Sequence, residues 1–265
     1  MDEPLPVTAP PVTAPPDRPA GRPRTEIVLV LALSLGASAL YALTSLVGSL
    51  TAPKPLAQQH ANLNTSQAPG RPWLDLTYQL LGIGTALVPA VLAVFLLARA
   101  GRPATAIGVD LRRPRGDLLR GAALAMLIGV PGLGIYLAAH ALGIGLSVVP
   151  ESLPAVWWRY PVLVLAAVQN AVLEEVVVVG YLLTRLDDLG WRRSRALGAS
   201  ALLRGTYHLY QGFGGFVGNA LMGVIFGWIF QRTKRIGPLV VAHALIDTVT
   251  FVGYALLVGH VSWLT

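Results

Sequence analysis

Seven apolar stretches divide this 265-residue chain, near Glu26–Val47, Asp75–Ala98, Leu119–Leu142, Pro161–Leu183, Ala196–Gly212, Phe216–Phe230 and Gly237–Val258. A helix needs about 20 mostly apolar residues to cross the hydrocarbon core of a bilayer. Most of the stretches reach that length. The fifth and sixth are shorter and read as tilted, broken or partly re-entrant. Only 12% of the residues are charged, against about 25% in soluble domains, so the chain cannot coat a water-facing surface. The expected fold class is all-α: a polytopic transmembrane helical bundle of about seven spans with the N-terminus inside.

The basic residues test that division independently. With the N-terminus inside and every stretch crossing, 16 of the 20 Lys and Arg fall on the inner side, in the tail, in 99–120, in 185–195 and in 232–235. Lys54, Arg71 and Arg159 fall outside, and Arg204 lies within a span. Such asymmetry is the positive-inside pattern of a membrane protein. It accounts for the net charge of +7 without a nucleic-acid partner, and makes the lipid bilayer the expected surroundings. An amphipathic stretch over Asp110–Leu119 is expected on the inner leaflet, its arginines facing lipid phosphates.

Residues 1–24 read as a disordered Pro-rich tail, with Pro-Val-Thr-Ala-Pro occurring twice from Pro6. No secretory signal pattern is read there. Two N-terminal transmembrane helices are expected over 25–98, and a membrane domain carrying the chemistry over 99–265. The chain has no cysteine, which excludes disulfides, thiolate catalysis and Cys-ligated metal.

Ionisable groups at membrane depth are costly and mark function by default. Glu174 and Glu175 sit in the fourth stretch about 15 Å from its inner end, at 1.5 Å per residue. Adjacent on a helix, they point ~100° apart and face different neighbours. A carboxylate there has the chemistry of a general base for water; the plainer reading, a helix brace, suits one of the two. In the fifth stretch Arg204 and His208 share a face at i and i+4. Arginine cannot lose its proton, so Arg204 needs an anion, and the two glutamates are the best candidates. Tyr207 and Tyr210 beside them read as packing residues. In the seventh stretch His243 and Asp247 share a face ~6 Å apart along the axis. Such a pair can relay protons, bind metal or hold an oxyanion.

Together the motifs Glu-Glu-Val-Val-Val-Val at Glu174–Val179, Arg-Gly-Thr-Tyr-His at Arg204–His208 and His-Ala-Leu-Ile-Asp at His243–Asp247 resemble those of the CPBP family. This is the CAAX protease and bacteriocin-processing (ABI) family, which includes the Ras-converting prenyl-protein endoproteases. The family pattern is Glu-Glu-x-x-x-Arg, then Phe-x-x-x-His, then His-x-x-x-Asn or Asp, on successive intramembrane helices. The resemblance covers about residues 100–258 and makes 99–265 a CPBP-type catalytic domain. It departs at Val179, where the family has Arg, and at Arg204, where it has Phe; the cation missing from one helix reappears on the next.

By motif position the resemblance implies an endopeptidase. Glu174 would activate water with help from His208, His243 and Asp247 would stabilise the oxyanion, and Glu175 would support, with Arg204 as its counter-charge. The implied substrate is a membrane-embedded or lipidated protein, and the implied location the inner or plasma membrane, in multi-pass form. Zinc is an open alternative to a metal-free mechanism, with His208, His243 and Glu174 as candidate ligands, although no His-Glu-x-x-His is present; the metal-free reading is preferred. Two other readings are a non-catalytic CPBP-fold partner or immunity-type protein, and a proton-coupled transporter. No internal repeat supports the last.

Overall fold

The computed structural model describes residues 23–110 and 112–260. The expected tail lies outside the described residues up to position 22, while Pro23 and Arg24 belong to helix α1, Pro23–Ala32. Proline suits a first helical turn, where its missing N–H has no intrahelical partner. Helix α2, Leu35–Thr51, follows at a bend of 51°. At that break the Ser34 hydroxyl donates to the Val30 carbonyl at 2.6 Å, competing for an acceptor of the helix ladder.

Helices α3, Pro72–Ala86, and α4, Val88–Arg99, make one continuous apolar stretch, interrupted at Leu87 ahead of Pro89. Then come α5, Pro114–Ala141; α6, Arg159–Glu174; α7, Leu182–Asp188; α8, Arg193–Thr206; α9, Phe213–Thr233; and α10, Gly237–Leu257. Seven residues of wide π-helical turn, Glu175–Tyr181, join α6 to α7. Among the described residues, five helical stretches are long and apolar enough to cross a membrane, or six if the bent α1–α2 pair counts as one.

The fifth expected span is not one of them. Helix α8 has 14 residues, ~21 Å at 1.5 Å per residue, short of the ~30 Å hydrocarbon core. Arg193, Arg195 and Arg204 interrupt its apolar run. The chain after Thr206 tightens into a 3₁₀ turn at Leu209–Gln211, and a backbone bridge from Gly212 to Gly145 brings it beside the end of α5.

Burial identifies the axis of the bundle. The α6–α7 stretch has 67% of its apolar window buried, against 6% for α5 and 33% for α9. The largest buried apolar cluster gathers Val30, Ala93 and Leu97 around Val177, Val179 and Tyr181 of that stretch, with Phe226 and Leu239. Large side chains such as Leu119, Met126, Val130 and Val249 stay exposed on the outer helix faces, as a lipid-facing surface requires. Helices α8 and α9 approach closely through glycine: a Cβ on Gly223 would lie 3.0 Å from the Ala201 Cα, and one on Gly227 2.5 Å from Leu197. This is the small-xxx-small packing of membrane helices.

Two short strands, β1 (His60–Thr65) and β2 (Ser147–Ser152), pair in parallel on the side opposite the arginine-rich loops. Their composition gave no reason to expect strands. Beside them Glu151 is buried, accepts from the Leu153 amide at 3.0 Å and pairs with Arg159. The Trp73 and Trp157 rings lie 6.3 Å apart at the same end and are exposed, at the level where indoles favour a membrane interface.

On the arginine-rich side the Asp110–Leu119 stretch keeps its arginines outward and turns its acidic residues inward. Pro114 already opens α5, and Asp110 and Asp117 turn inward to clamp Arg235 in the α9–α10 turn. Arg235 Nε and Nη2 lie 2.6 Å from the two Asp117 oxygens, and Nη1 lies 3.0 Å from Asp110. The stretch's own arginines, Arg112, Arg113 and Arg115, stay exposed, as do Leu118 and Leu119. The Arg112 amide, and then the Arg235 cation, hold the Asp110 carboxyl below its usual range. That contribution to stability is present above the unfolded-chain value of about 3.9 and is lost as pH falls through the lower folded value. Arg235→Leu is expected to lower stability by about 2 kcal/mol, because Asp117 loses its cation while staying largely enclosed. Thermal unfolding of the detergent-solubilised protein reads this out, and an unchanged midpoint would remove the clamp from the account.

Candidate active site

Three elements meet at mid-depth: the end of α6 with the wide turn after it, the end of α8, and α10. Glu174 closes α6 and Glu175 opens the wide turn. The turn follows from sequence and contact together. Val176–Val179 is a run of β-branched residues, stiff and of lower helix propensity. Ser200 of α8 donates to the Val178 carbonyl at 2.8 Å, an outside donor inside the ladder. Such wide turns recur at functional sites.

Arg204 is the hub. Its side chain is fully buried, and its Nη2 lies 2.6 Å from Glu175 Oε1 and 3.3 Å from Glu174 Oε2. His243 Nδ1 lies 2.8 Å from the same Glu175 oxygen. A carboxylate only accepts, so His243 carries its proton on Nδ1 and donates. The 3.1 Å between His243 Nδ1 and Arg204 Nη2 is then the spacing of two donors sharing one acceptor. His243 Nε2 faces Asp247 Oδ2 at 3.6 Å, and Asn170 Nδ2 reaches that oxygen at 3.5 Å. Both are too long to be strong hydrogen bonds.

His208 is buried, with Nδ1 3.0 Å from the Arg204 carbonyl. A carbonyl cannot donate, so Nδ1 bears the proton and Nε2 keeps its lone pair. His208 has no hydrogen bond to either glutamate; its neighbour is the Tyr207 ring, 4.7 Å centroid to centroid. The Tyr207 hydroxyl donates to Glu174 Oε2 at 2.8 Å. All five motif residues and Arg204 therefore belong to one cluster, with Asp247 at its half-buried edge. Tyr207, read as packing, is a polar partner of Glu174, and its position one residue before His208 gave no signal of that.

The two glutamates differ in access. Glu175 is sealed, with 0% of its side chain exposed, while Glu174 keeps 11%. Both contacts to Glu174 fall on Oε2, so Oε1 is its unengaged oxygen.

The candidate metal ligands do not converge. Among the described residues no three His, Asp or Glu side chains form a metal-holding group. The Arg204 cation already lies 3.3 Å from Glu174 Oε2. Glu174, His208 and His243 are therefore not gathered as the three protein ligands of a zinc site.

Residues 156–249 match the family model described as type II CAAX prenyl endopeptidase, Rce1-like. The match places this segment in the CPBP, or CAAX-protease, family, a family of proteases. It covers about a third of the chain and contains every site residue above. No curated protein and no solved structure matches.

Arg204→Leu would leave two buried carboxylates without their cation, and removing one partner of a buried pair costs about 3–5 kcal/mol. Adding Glu175→Leu to Arg204→Leu is expected to restore part of that loss. A thermal-unfolding double-mutant cycle measures the coupling, and strictly additive losses would show that the pair does not act as a unit.

Proposed function

We propose that this protein is an intramembrane endopeptidase of the CAAX-protease type. It cleaves a peptide bond of a membrane-embedded or lipidated protein in the cell membrane without a metal ion. The reading rests on one observation: of two adjacent buried glutamates, one is sealed by Arg204 and His243, and the other is held by one oxygen with its second oxygen free.

Hydrolysis needs a base for water, donors for a tetrahedral oxyanion and a proton for the leaving amine. Glu174 Oε1 accepts a proton as water oxygen bonds to the scissile carbonyl carbon. His208 Nε2, with its lone pair available, orients that water. The oxyanion is met by His243 as the imidazolium, protonated on Nδ1 toward Glu175 and on Nε2, where the nearest carboxylate oxygen is 3.6 Å away. Asp247, as a carboxylate, only accepts, so it gives the oxyanion no donor; its charge beside Nε2 favours the protonated ring. The C–N bond then breaks and the amine takes the proton held on Glu174. Glu175 and Arg204 do no chemistry; they fix His243 and the empty side of Glu174. Positioned bases contribute about 10²–10⁴-fold and single oxyanion donors about 10²–10³-fold.

Comparative proteomics of C-termini and membrane-protein fragments is the test, in cells expressing wild type or Glu174→Gln. Fragments present only with wild type are expected, with Glu174→Gln lowering cleavage at least 100-fold at an unchanged unfolding temperature; identical fragment patterns would favour a non-catalytic partner instead. For an identified substrate, o-phenanthroline is expected to leave the rate of purified enzyme within twofold. Inhibition reversed by added zinc would overturn the metal-free mechanism.

A further inference from the structure

Helix α2 lies outside the segment matched to the family, yet it forms one wall of an open cavity whose lining includes Tyr207, the partner of Glu174. The cavity measures about 280 Å³ and is lined by Ser38, Tyr41, Ala42 and Ser45 of α2 with Tyr207 and Tyr210. The four α2 residues are spaced i, i+3, i+4 and i+7, one stripe of a helix. Ala42 and Tyr207 are buried, whereas Ser38, Tyr41 and Ser45 are exposed, Tyr41 to 78%. The cavity therefore opens on the lipid-facing side of α2 and closes on Tyr207. The hydroxyl of that tyrosine is the group that holds Glu174 Oε2.

We propose that this cavity is a substrate subsite for a single uncharged side chain beside the scissile bond, and that Tyr207 is the positioning residue joining it to Glu174. The subsite assignment rests on the endopeptidase reading. No lining residue is ionisable near neutral pH, so a charged side chain would enter without a partner. The volume falls below the ~300–1,000 Å³ of sites that enclose drug-sized ligands, which suits one side chain rather than a folded segment. Two serines and three tyrosines line the cavity with Ala42. Tyr207 fixes Oε2 toward Arg204, which leaves Oε1 as the oxygen directed at water.

Two readouts separate this proposal from the endopeptidase reading. The first needs no substrate: Glu174 in nanodisc-embedded protein is labelled with a hydrophobic carbodiimide and quantified by peptide mass spectrometry. Tyr207→Phe, which removes the closer of the two contacts to Oε2, is expected to raise Glu174 labelling severalfold. Ser38→Trp and Ser45→Trp, at exposed positions that tolerate bulk, are expected to lower it severalfold, with Glu175 unlabelled throughout. Labelling indifferent to all three changes would overturn the link between cavity and Glu174, whether or not the protein is a protease. The second readout is kinetic. Ser38→Trp and Ser45→Trp are expected to raise KM severalfold with kcat within twofold, while Tyr207→Phe lowers kcat about tenfold with KM unchanged. Adding Tyr207→Phe to Glu174→Gln is expected to cost nothing more. A KM indifferent to cavity filling would overturn the subsite, and an equal Tyr207→Phe loss in the Glu174→Gln background would overturn its positioning role.

Discussion

The buried guanidinium of Arg204 binds three helical elements through one small group of atoms. Taking a charge out of water costs several kcal/mol even after relaxation, and here two carboxylates and a cation share a space with little solvent. The arrangement is tolerable because each charge meets an opposite one at short range: Arg204 to Glu175 at 2.6 Å and to Glu174 at 3.3 Å. Phe226 lies under the guanidinium at 5.4 Å, adding the attraction of a ring face for a cation. The family pattern puts a cation at the position of Val179. In this chain Val179 is fully buried in the apolar cluster, and the positive charge comes from α8. Arg204 thereby ties α8 to the site.

That tie sets the division of labour between the glutamates. An unbroken α-helix would rotate Glu175 by about 100° from Glu174 without deciding which is sealed. The wide turn beginning at Glu175 and the Ser200 bond to the Val178 carbonyl settle the local geometry. Glu175 is drawn to Arg204 and His243, and Glu174 is left at the edge beside Tyr207. Two chemically identical side chains acquire different surroundings because only Glu175 is hydrogen-bonded by both Arg204 and His243.

Much of this was legible in the sequence, for identifiable reasons. Apolar runs and the one-sided arginines announce a membrane bundle, because lipid imposes length and charge rules along the chain. Arg204 announces its need for an anion because arginine stays charged. The features that escaped depend on partners distant in sequence. The β1–β2 ladder joins His60–Thr65 to Ser147–Ser152 with neither segment showing strand alternation. The wide turn needs Ser200 from another helix. Tyr207 reads as an aromatic packing residue until Glu174, 33 positions earlier, is placed 2.8 Å from its hydroxyl. The shortness of α8 was hidden because its apolar residues run on into a 3₁₀ turn.

The same logic explains why the matched segment is not a self-contained machine. Glu26 of α1 accepts from Arg185 at 2.8 Å and from Tyr181 at 3.0 Å, so the first helix holds the far end of the wide turn. Helix α5 lies so close to α10 that a Cβ on Gly121 would come within 2.5 Å of Val241, two residues from His243. Ala42 of α2 packs with Leu209, just past His208. Each motif-bearing segment is thus packed, near its motif, by a residue outside 156–249. The motifs set which chemistry is available, and the helices before them set how much room it has and from which side it is reached.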